Sequence, residues 1–366
     1  MVKLLSIIIP TYNMEKYLHK CLNSLIVSKE NMEALEVIVV NDGSKDLSSQ
    51  IAHEYESKYP QTFKVIDKEN GNYGSCINRG LKETTGKYVK VLDADDYYVT
   101  NALDKFIIYL QKKNVDLIIN DFVIVDAHDR ITESYTFALP INQDFTLCDI
   151  PKEMKTWLWH HGITYKTQIL RSINYCQTEG IPYTDDEWVF MPMYKIESIS
   201  YFPHILYHYF IGREGQTFDP MIMKTSFDKR IAVGKSMVRY FAEIENECSS
   251  MTKQFMAEKL RSRLIVIYDF YLAKEYSHEG IERLKEFDVF IKQQSLYMYN
   301  LLTLKKDRFF RKNFIYEWRT ANYTCTLYLL LRQIKFRMRL LMGKKYRNLH
   351  MPDSLRRNEH FLYLTH

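Results

Sequence analysis

The chain is expected to open with an α/β domain, a doubly wound and mostly parallel sheet over residues 1–218, and to continue as a helical region over 219–366. Three observations predict this. Short apolar runs alternate with helically spaced segments through the first 120 residues, the pattern of βαβ units. One run, Tyr88 to Leu92, stops abruptly at Asp93, Asp95 and Asp96, as a buried strand does when its carboxyl end opens onto a cleft. From Phe227 onward the apolar spacing is mostly helical, with frequent Lys and Glu.

Taken in order, Leu5-Ser-Ile-Ile-Ile-Pro10 reads as a buried parallel-type strand stopped by proline. Met14 to Ser28 places Leu18, Cys21, Leu22, Leu25 and Ile26 at helical spacing. Leu35 to Val40 is the second strand and ends in Asn41-Asp-Gly-Ser44. A polar-faced helix, Leu47 to Tyr59, leads to a third strand, Phe63 to Ile66. Asn70-Gly-Asn-Tyr-Gly-Ser75 is a glycine-rich turn entering a helix from Cys76 to Thr84. After the acidic cluster come a helix from about Ala102 to Lys112 and a strand from Val115 to Asn120. Residues 121–150 read as strand and loop.

Composition narrows the class. With 46% hydrophobic and 26% charged residues, and only 12 Gly and 9 Pro, the chain is globular rather than disordered. Six cysteines lie scattered without a CxxC or close pair, which argues against a zinc site or disulfide framework and fits a reducing cytosol. The N-terminus has no signal-peptide architecture, and no uninterrupted apolar run approaches 18 residues. The expected location is therefore cytoplasmic, free or peripheral on the inner face of the cell membrane.

Three adjacent acids repel one another, and a hard divalent cation, Mn²⁺ or Mg²⁺, resolves that repulsion through oxygen ligands. The alternative is a solvated turn in which Asp95 or Asp96 faces the N-terminus of the next helix. A dinucleotide site would need GxGxxG after the first strand, and Pro10-Thr-Tyr-Asn13 has no glycine. An aspartyl-phosphate phosphatase would carry Thr or Val two residues after the second Asp, where Tyr97 stands.

Pro10-Thr-Tyr-Asn13, Asn41-Asp-Gly-Ser44, Asn70-Gly-Asn-Tyr-Gly-Ser with Asn78-Arg-Gly80, and Leu92-Asp-Ala-Asp-Asp96 resemble, in order and spacing, the family 2 glycosyltransferases, over roughly residues 4–215. The resemblance implies a GT-A fold and transfer of a sugar from a nucleotide diphosphate with inversion. It implies that Tyr12 packs against the base and that Asp42 accepts its imino N–H, which favours uracil. It implies that Asp93 and Asp95 contact the ribose and the metal, with Asp96 an alternative ligand. Pro10, Asn72 and Ala94 stand in the same motifs and are expected to line the nucleotide-sugar site. One departure is Ile77, where many members carry an arginine; a phosphate contact there is not expected, and Arg79 is open as a replacement.

Trp157-Leu-Trp-His-His-Gly-Ile-Thr-Tyr-Lys166 is rich enough in aromatics to form a sugar platform, or to pack into the core. The resemblance implies an active-site histidine here, taken as His161. Asp185-Asp-Glu187 precedes the helix positions Trp188, Val189 and Met193. The resemblance implies that an acidic pair so placed supplies the general base that inversion requires, Asp185 first and Asp186 as the alternative. Arg213, followed closely by Gly215-Gln-Thr217, is a candidate clamp for the diphosphate, with the bidentate geometry that suits phosphate.

The end of the chain is basic. From Leu301 there are 15 Lys/Arg against 4 Asp/Glu, a local +11, which leaves −6 for the first 300 residues of a chain with net +5. Leu327, Leu330, Leu331, Ile334, Met338 and Leu341 recur at helical spacing, with Arg332, Lys335 and Arg339 on the other side and Lys344-Lys-Tyr-Arg347 beyond. A cationic amphipathic helix suits an anionic membrane surface. Packing onto the catalytic domain or in a homodimer is the alternative, and nucleic acid is not expected, since no recognition fold accompanies the charge. The expected function is a metal-dependent inverting transferase moving sugar from a UDP-sugar to a saccharide or lipid-linked acceptor. The alternative is a non-catalytic nucleotide-sugar-binding or scaffolding subunit.

Overall fold

The computed structural model describes residues 3–151, 158–213, 227–274, 276–304 and 312–350, with side chains of the last helix up to residue 338. Two compact units result, Met1–Gln216 and Thr217–His366.

In the first unit, β1 (Leu5–Thr11) is buried at every position, as a strand covered on both faces must be. The following helix, α1 (Glu15–Asn23), buries Leu18, Cys21 and Leu22 but stops short of the Ser28 suggested by the periodicity. Its bonds tighten to i→i+3 spacing at Leu25 and Ile26. A separate short helix, α2 (Lys29–Ala34), follows, then β2 (Leu35–Asn41), α3 (Ser48–Lys58) and β3 (Phe63–Asp67). Helix α4 (Asn72–Glu83) starts inside the glycine-rich turn rather than at Cys76. The Asp42 carboxylate accepts the N–H groups of Gly71 and Asn72 and so satisfies donors that a helix start leaves open. Gly80 on this helix lies against Ile8, where an added Cβ would sit 2.6 Å from Cγ2.

Strand β4 (Tyr88–Val91) leads through the acidic cluster to β5 (Tyr97–Tyr98), α5 (Thr100–Gln111), β6 (Leu117–Val125) and β7 (Ile131–Tyr135). Later come β8 (Ile163–Lys166), α6 (Thr167–Ser172), α7 (Asp185–Phe190) and β9 (Ile199–Phe210). The sheet order is β3-β2-β1-β4-β8-β6-β9-β5, with β7 paired to β6. Its first four strands are parallel, and so are β6 and β9. Strand β8 runs antiparallel between β4 and β6, so the sheet is mixed beyond its first four strands. Thr11, Asn41 and Asp67 stand in register, which aligns the carboxyl ends of three parallel strands on one rim.

The second unit is helical: α8 (Phe227–Ile244), α9 (Ser250–Asp269) running into a π-turn at Phe270–Lys274, α10 (His278–Gln294), α11 (Leu296–Leu304), α12 (Phe314–Thr320) and α13 (Leu327–His350). In its core the buried Asp288 pairs with Arg319 at 2.6 Å and is bonded by the Tyr268 hydroxyl. Helix α13 packs through Leu329, Gln333 and Arg332, whose Nη2 lies 2.7 Å from Asp269 Oδ1. Its apolar stripe points the other way: Leu327, Leu330, Leu331, Ile334 and Met338 are all exposed, Leu327 by 74%. The basic face expected to be solvated is, at Arg332, the packing face. The side chains of Arg339, Leu341, Lys344, Lys345 and Arg347 lie outside the described residues. No described helix is long and apolar enough to cross a membrane.

Candidate active site

The parallel rim presents Tyr12 at the end of β1, 46% exposed and followed by Asn13 at φ 54°. Pro10 stays in the sheet opposite Val40. Asp42 follows the end of β2 on the same rim. Oδ1 accepts from Lys68 Nζ at 2.5 Å and from the Gly71 amide at 2.9 Å, and Oδ2 accepts from the Asn72 amide at 2.9 Å. With 3% of the residue exposed, its two oxygens hold the glycine-rich loop rather than facing an open base pocket. Asn72 adopts φ 66°, a left-handed turn that asparagine tolerates, and its amide is one of the two that Asp42 captures. Ile77 is fully buried and Arg79 pairs with Glu83 on its own helix, so neither reaches the rim.

At the end of β4 the three acids take three different positions. Asp93 Oδ1 accepts from the Tyr73 hydroxyl at 2.9 Å, and Oδ2 lies 3.1 Å from His160 Nε2. Burial works to raise its pKa, but His160 and Tyr73 outweigh it and hold the carboxyl below the usual range. Asp95 accepts from Arg213 Nε at 2.8 Å; burial raises its pKa against that pairing. Ala94 between them is buried. Asp96 is 1% exposed and turned into the fold, bonded by the Tyr207 hydroxyl at 2.5 Å and the Phe210 amide at 2.7 Å. Burial, Asp95 and Asp93 push it well above the normal carboxylate range. As an alternative metal ligand Asp96 is thus committed elsewhere: it fastens β9 to the cluster.

Opposite the acids is a 3₁₀ turn, His160–Gly162, and here the neighbour of the expected histidine takes the central place. His160 reaches Asp93 through Nε2, while Nδ1 lies 4.0 Å from Asp185 Oδ2. Burial would lower its pKa, but Asp93 and then Asp185 raise it overall. His161 sits in an aromatic pile, its ring 4.4 Å from Tyr209 and 4.7 Å from Tyr207. Trp159 packs there too, 5.1 Å from Tyr135 and 5.8 Å from Phe122. Trp157 lies outside the described residues, as do Gly215, Gln216 and Thr217. Lys90, a lysine inside β4 with no exposed surface, anchors the turn from below by donating to the carbonyls of His161 at 2.8 Å and Ile163 at 3.1 Å. Burial depresses its pKa far below the ordinary lysine value.

Asp185 opens α7 with 45% of its side chain exposed, and Asp186 follows. The third acid, Glu187, is buried and takes the Thr178 amide and hydroxyl, both at 2.7 Å. Thr178 in turn lies against the glycine-rich loop: a Cβ on Gly74 would fall 2.0 Å from its carbonyl oxygen. Asn78 grips the same segment through the Gln177 carbonyl and amide, each at 2.8 Å. Tyr183 just before the acids adopts φ 67°, a strained value for a bulky residue. The donor-side loop and the helix carrying the acid pair therefore form one bonded unit. Sequence reasoning missed Tyr73, Lys90 and His160. A lysine in the middle of an otherwise apolar strand was the legible signal for one of them.

Residues 6–176 match the family model described as glycosyl transferase family 2. Over those residues the chain is a glycosyl transferase family 2 domain. It is 28% identical over 269 residues to an uncharacterized glycosyltransferase of Mycoplasma pneumoniae, across 72% of this chain and 86% of that protein. It is 25% identical to the minor teichoic acid biosynthesis protein GgaB of Bacillus subtilis, across 86% of this chain but only 36% of that protein. Among solved structures, S. aureus TarS in complex with UDP-GlcNAc shares the fold, with a TM-score of 0.64 at 22% identity, covering 82% of this chain and 83% of the other. As a family 2 member the protein is a glycosyltransferase. Its donor set also fits a divalent ion, since one ligand atom each from Asp93, His160 and His161 fall within 4.8 Å of one another.

Proposed function

We propose that the protein is a metal-dependent, inverting glycosyltransferase that takes a UDP-sugar and passes the sugar to a saccharide or lipid-linked saccharide during synthesis of a cell-surface polymer. The observation that carries this reading is the single imidazole of His160, 3.1 Å from Asp93 and 4.0 Å from Asp185, which sets the donor-side acid and the acid pair around one small space. TarS, whose fold this chain shares, is solved with UDP-GlcNAc, and GgaB is named for teichoic acid biosynthesis. The first supports a nucleotide-sugar donor and the second a teichoic-acid-like polymer as the setting.

In this reading the exposed ring of Tyr12 stacks on the base. Asp42 and Lys68 shape the glycine-rich loop beside it. Asp93 and Asp95 would hold Mn²⁺ or Mg²⁺, which when bound supplies positive charge to the departing diphosphate. Arg213, against Asp95, adds a fixed cation at the same end. Asp185 takes the proton of the acceptor hydroxyl as the anomeric carbon is attacked from the opposite face, a contribution of about 10²- to 10⁴-fold in rate. Asp186 is the alternative base.

The reading extends to location. The outward apolar stripe of α13, followed by further Lys and Arg, fits the surface of an anionic membrane on its cytoplasmic side, where each basic residue adds about 1 kcal/mol. Co-sedimentation with anionic liposomes should be lost when the chain beyond Asn322 is deleted; retention, or a change in oligomeric state instead, would favour a homodimer contact. For the donor, thermal-shift screening of nucleotide sugars with and without Mn²⁺ should single out a uridine diphosphate sugar. Undiminished turnover in Asp95→Ala would contradict its metal role.

A further inference from the structure

The first acid of the run has two imidazoles beside it, and the proposed reaction so far uses neither as a ligand. Asp93, His160 and His161 each offer an atom within one 4.8 Å group. The 3.1 Å from His160 Nε2 to Asp93 Oδ2 is roughly the spacing of two adjacent ligands on an octahedral ion with bonds of about 2.1 Å. His161 adds an independent observation. Its ring is 3% exposed, and neither ring nitrogen has a hydrogen-bond partner among the described residues. A neutral imidazole carries one donor and one acceptor, and burying both unpaired is costly. The aromatic pile around it would be served by a phenylalanine, as it is at Phe122, whose ring lies 5.3 Å away. Asp96 is already committed to Tyr207 and Phe210.

We propose that Asp93, His160 and His161 form a mixed imidazole–carboxylate site for a divalent transition ion. The proposal rests on the donor-site reading above and adds two imidazole nitrogens to its carboxylate ligands. Such a set prefers Mn²⁺, Co²⁺ or Zn²⁺ to Mg²⁺, whereas paired carboxylates suit Mg²⁺ well. It also leaves coordination positions free for diphosphate oxygens. Lys90 supports the site from beneath, since its bonds to the His161 and Ile163 carbonyls fix the turn that carries both rings.

The test is Mn²⁺ bound to the full-length, EDTA-treated protein, followed by pulsed electron paramagnetic resonance. The expected result is ¹⁴N modulation of the Mn²⁺ echo in wild type. It should weaken in His160→Gln and in His161→Phe, with Mn²⁺ affinity down at least about tenfold in each and Mg²⁺ binding wild type at least about tenfold more weakly than Mn²⁺. His161→Phe keeps the ring volume, and its thermal melt reports whether the pile survives. Wild-type Mn²⁺ without ¹⁴N modulation, modulation unchanged in both variants, no Mn²⁺ binding, or equal affinity for Mg²⁺ would each overturn the site. A wild type that turns over a UDP-sugar with an all-oxygen Mn²⁺ overturns this site and leaves the transferase reading intact. Nitrogen-ligated Mn²⁺ without turnover of any UDP-sugar does the reverse.

Discussion

Two parts of the molecule depart from the rule that charge stays wet and apolar surface stays dry, and they depart in opposite directions. At the end of β4, charged groups are buried: Asp96 and Lys90 are almost wholly out of solvent, and Asp95 is close behind. On α13, apolar groups are exposed while an arginine is turned inward to Asp269. The buried charges all have partners, which makes them a prearranged site that needs little rearrangement to meet a charged ligand. The exposed leucines have no comparable burial, and contiguous apolar surface of this kind marks a contact face. One region is finished; the other awaits a surface.

That contrast can be broken most severely at the acids. Asp93→Asn should cut transfer by at least about 10²-fold with a smaller loss of stability than Asp96→Asn, because Asp93 has 23% of its side chain exposed. Asp96→Asn should do the reverse in kind, lowering stability by about 1–3 kcal/mol through disturbed bonds to Tyr207 and Phe210. Equal stability losses in the two variants would erase the distinction between a ligand-facing acid and a structural one.

A middle-sized effect is expected where the donor loop meets the acid-pair helix. Gly74→Ala places a Cβ 2.0 Å from the Thr178 carbonyl oxygen, a backbone atom that cannot swing aside. A cost of about 1–3 kcal/mol is expected, together with a fall in kcat as α7 shifts. A normal melt and unchanged kcat would show that the two elements are not coupled.

The pH dependence sharpens the same region. In metal-free protein the His160 pKa is raised, so its pairing with Asp93 stabilises fully below the unfolded value near 6.5 and is lost as pH rises through the folded-state pKa. The Asp93 pKa is lowered, so its contribution is present above about 3.9 and is lost as pH falls through the folded-state value. Metal-free stability should therefore fall as pH rises above about 6.5, and His160→Gln should remove that fall. On α13 the smallest change is expected: Leu331→Gln and Ile334→Gln should alter stability by no more than about 0.5 kcal/mol. The same pair should weaken liposome binding. A large loss of stability would mean that the stripe is packed after all.

Local signals served the parallel half of the sheet well. Leu5 to Thr11 and Leu35 to Asn41 are continuous apolar runs with turn residues behind them, so strand, direction and rim were legible. The second half was not, because β6, β8 and β9 pair across separations of more than 30 residues, and no local pattern records that. Helix α2 was hidden by its polar Lys-Glu-Asn start. Within the site, acids of one short run look alike in sequence, yet the turn sends one toward the cleft and another into the fold, as with Asp93 and Asp96. Asp42 was legible as a rim residue but not as the holder of Gly71 and Asn72, since that contact depends on where a loop 28 residues later comes to rest. For α13, periodicity gave two faces, but only the position of Asp269 decides which one packs.

The central claim is that an acid at the start of α7 moves the proton while the rim holds the nucleotide. Wild type and Asp185→Asn should be compared for UDP binding by calorimetry and for UDP-sugar turnover, both with Mn²⁺. The account predicts unchanged UDP affinity and a loss of turnover of about 10²- to 10⁴-fold. Turnover within a few-fold of wild type, or UDP affinity lost together with activity, would contradict it.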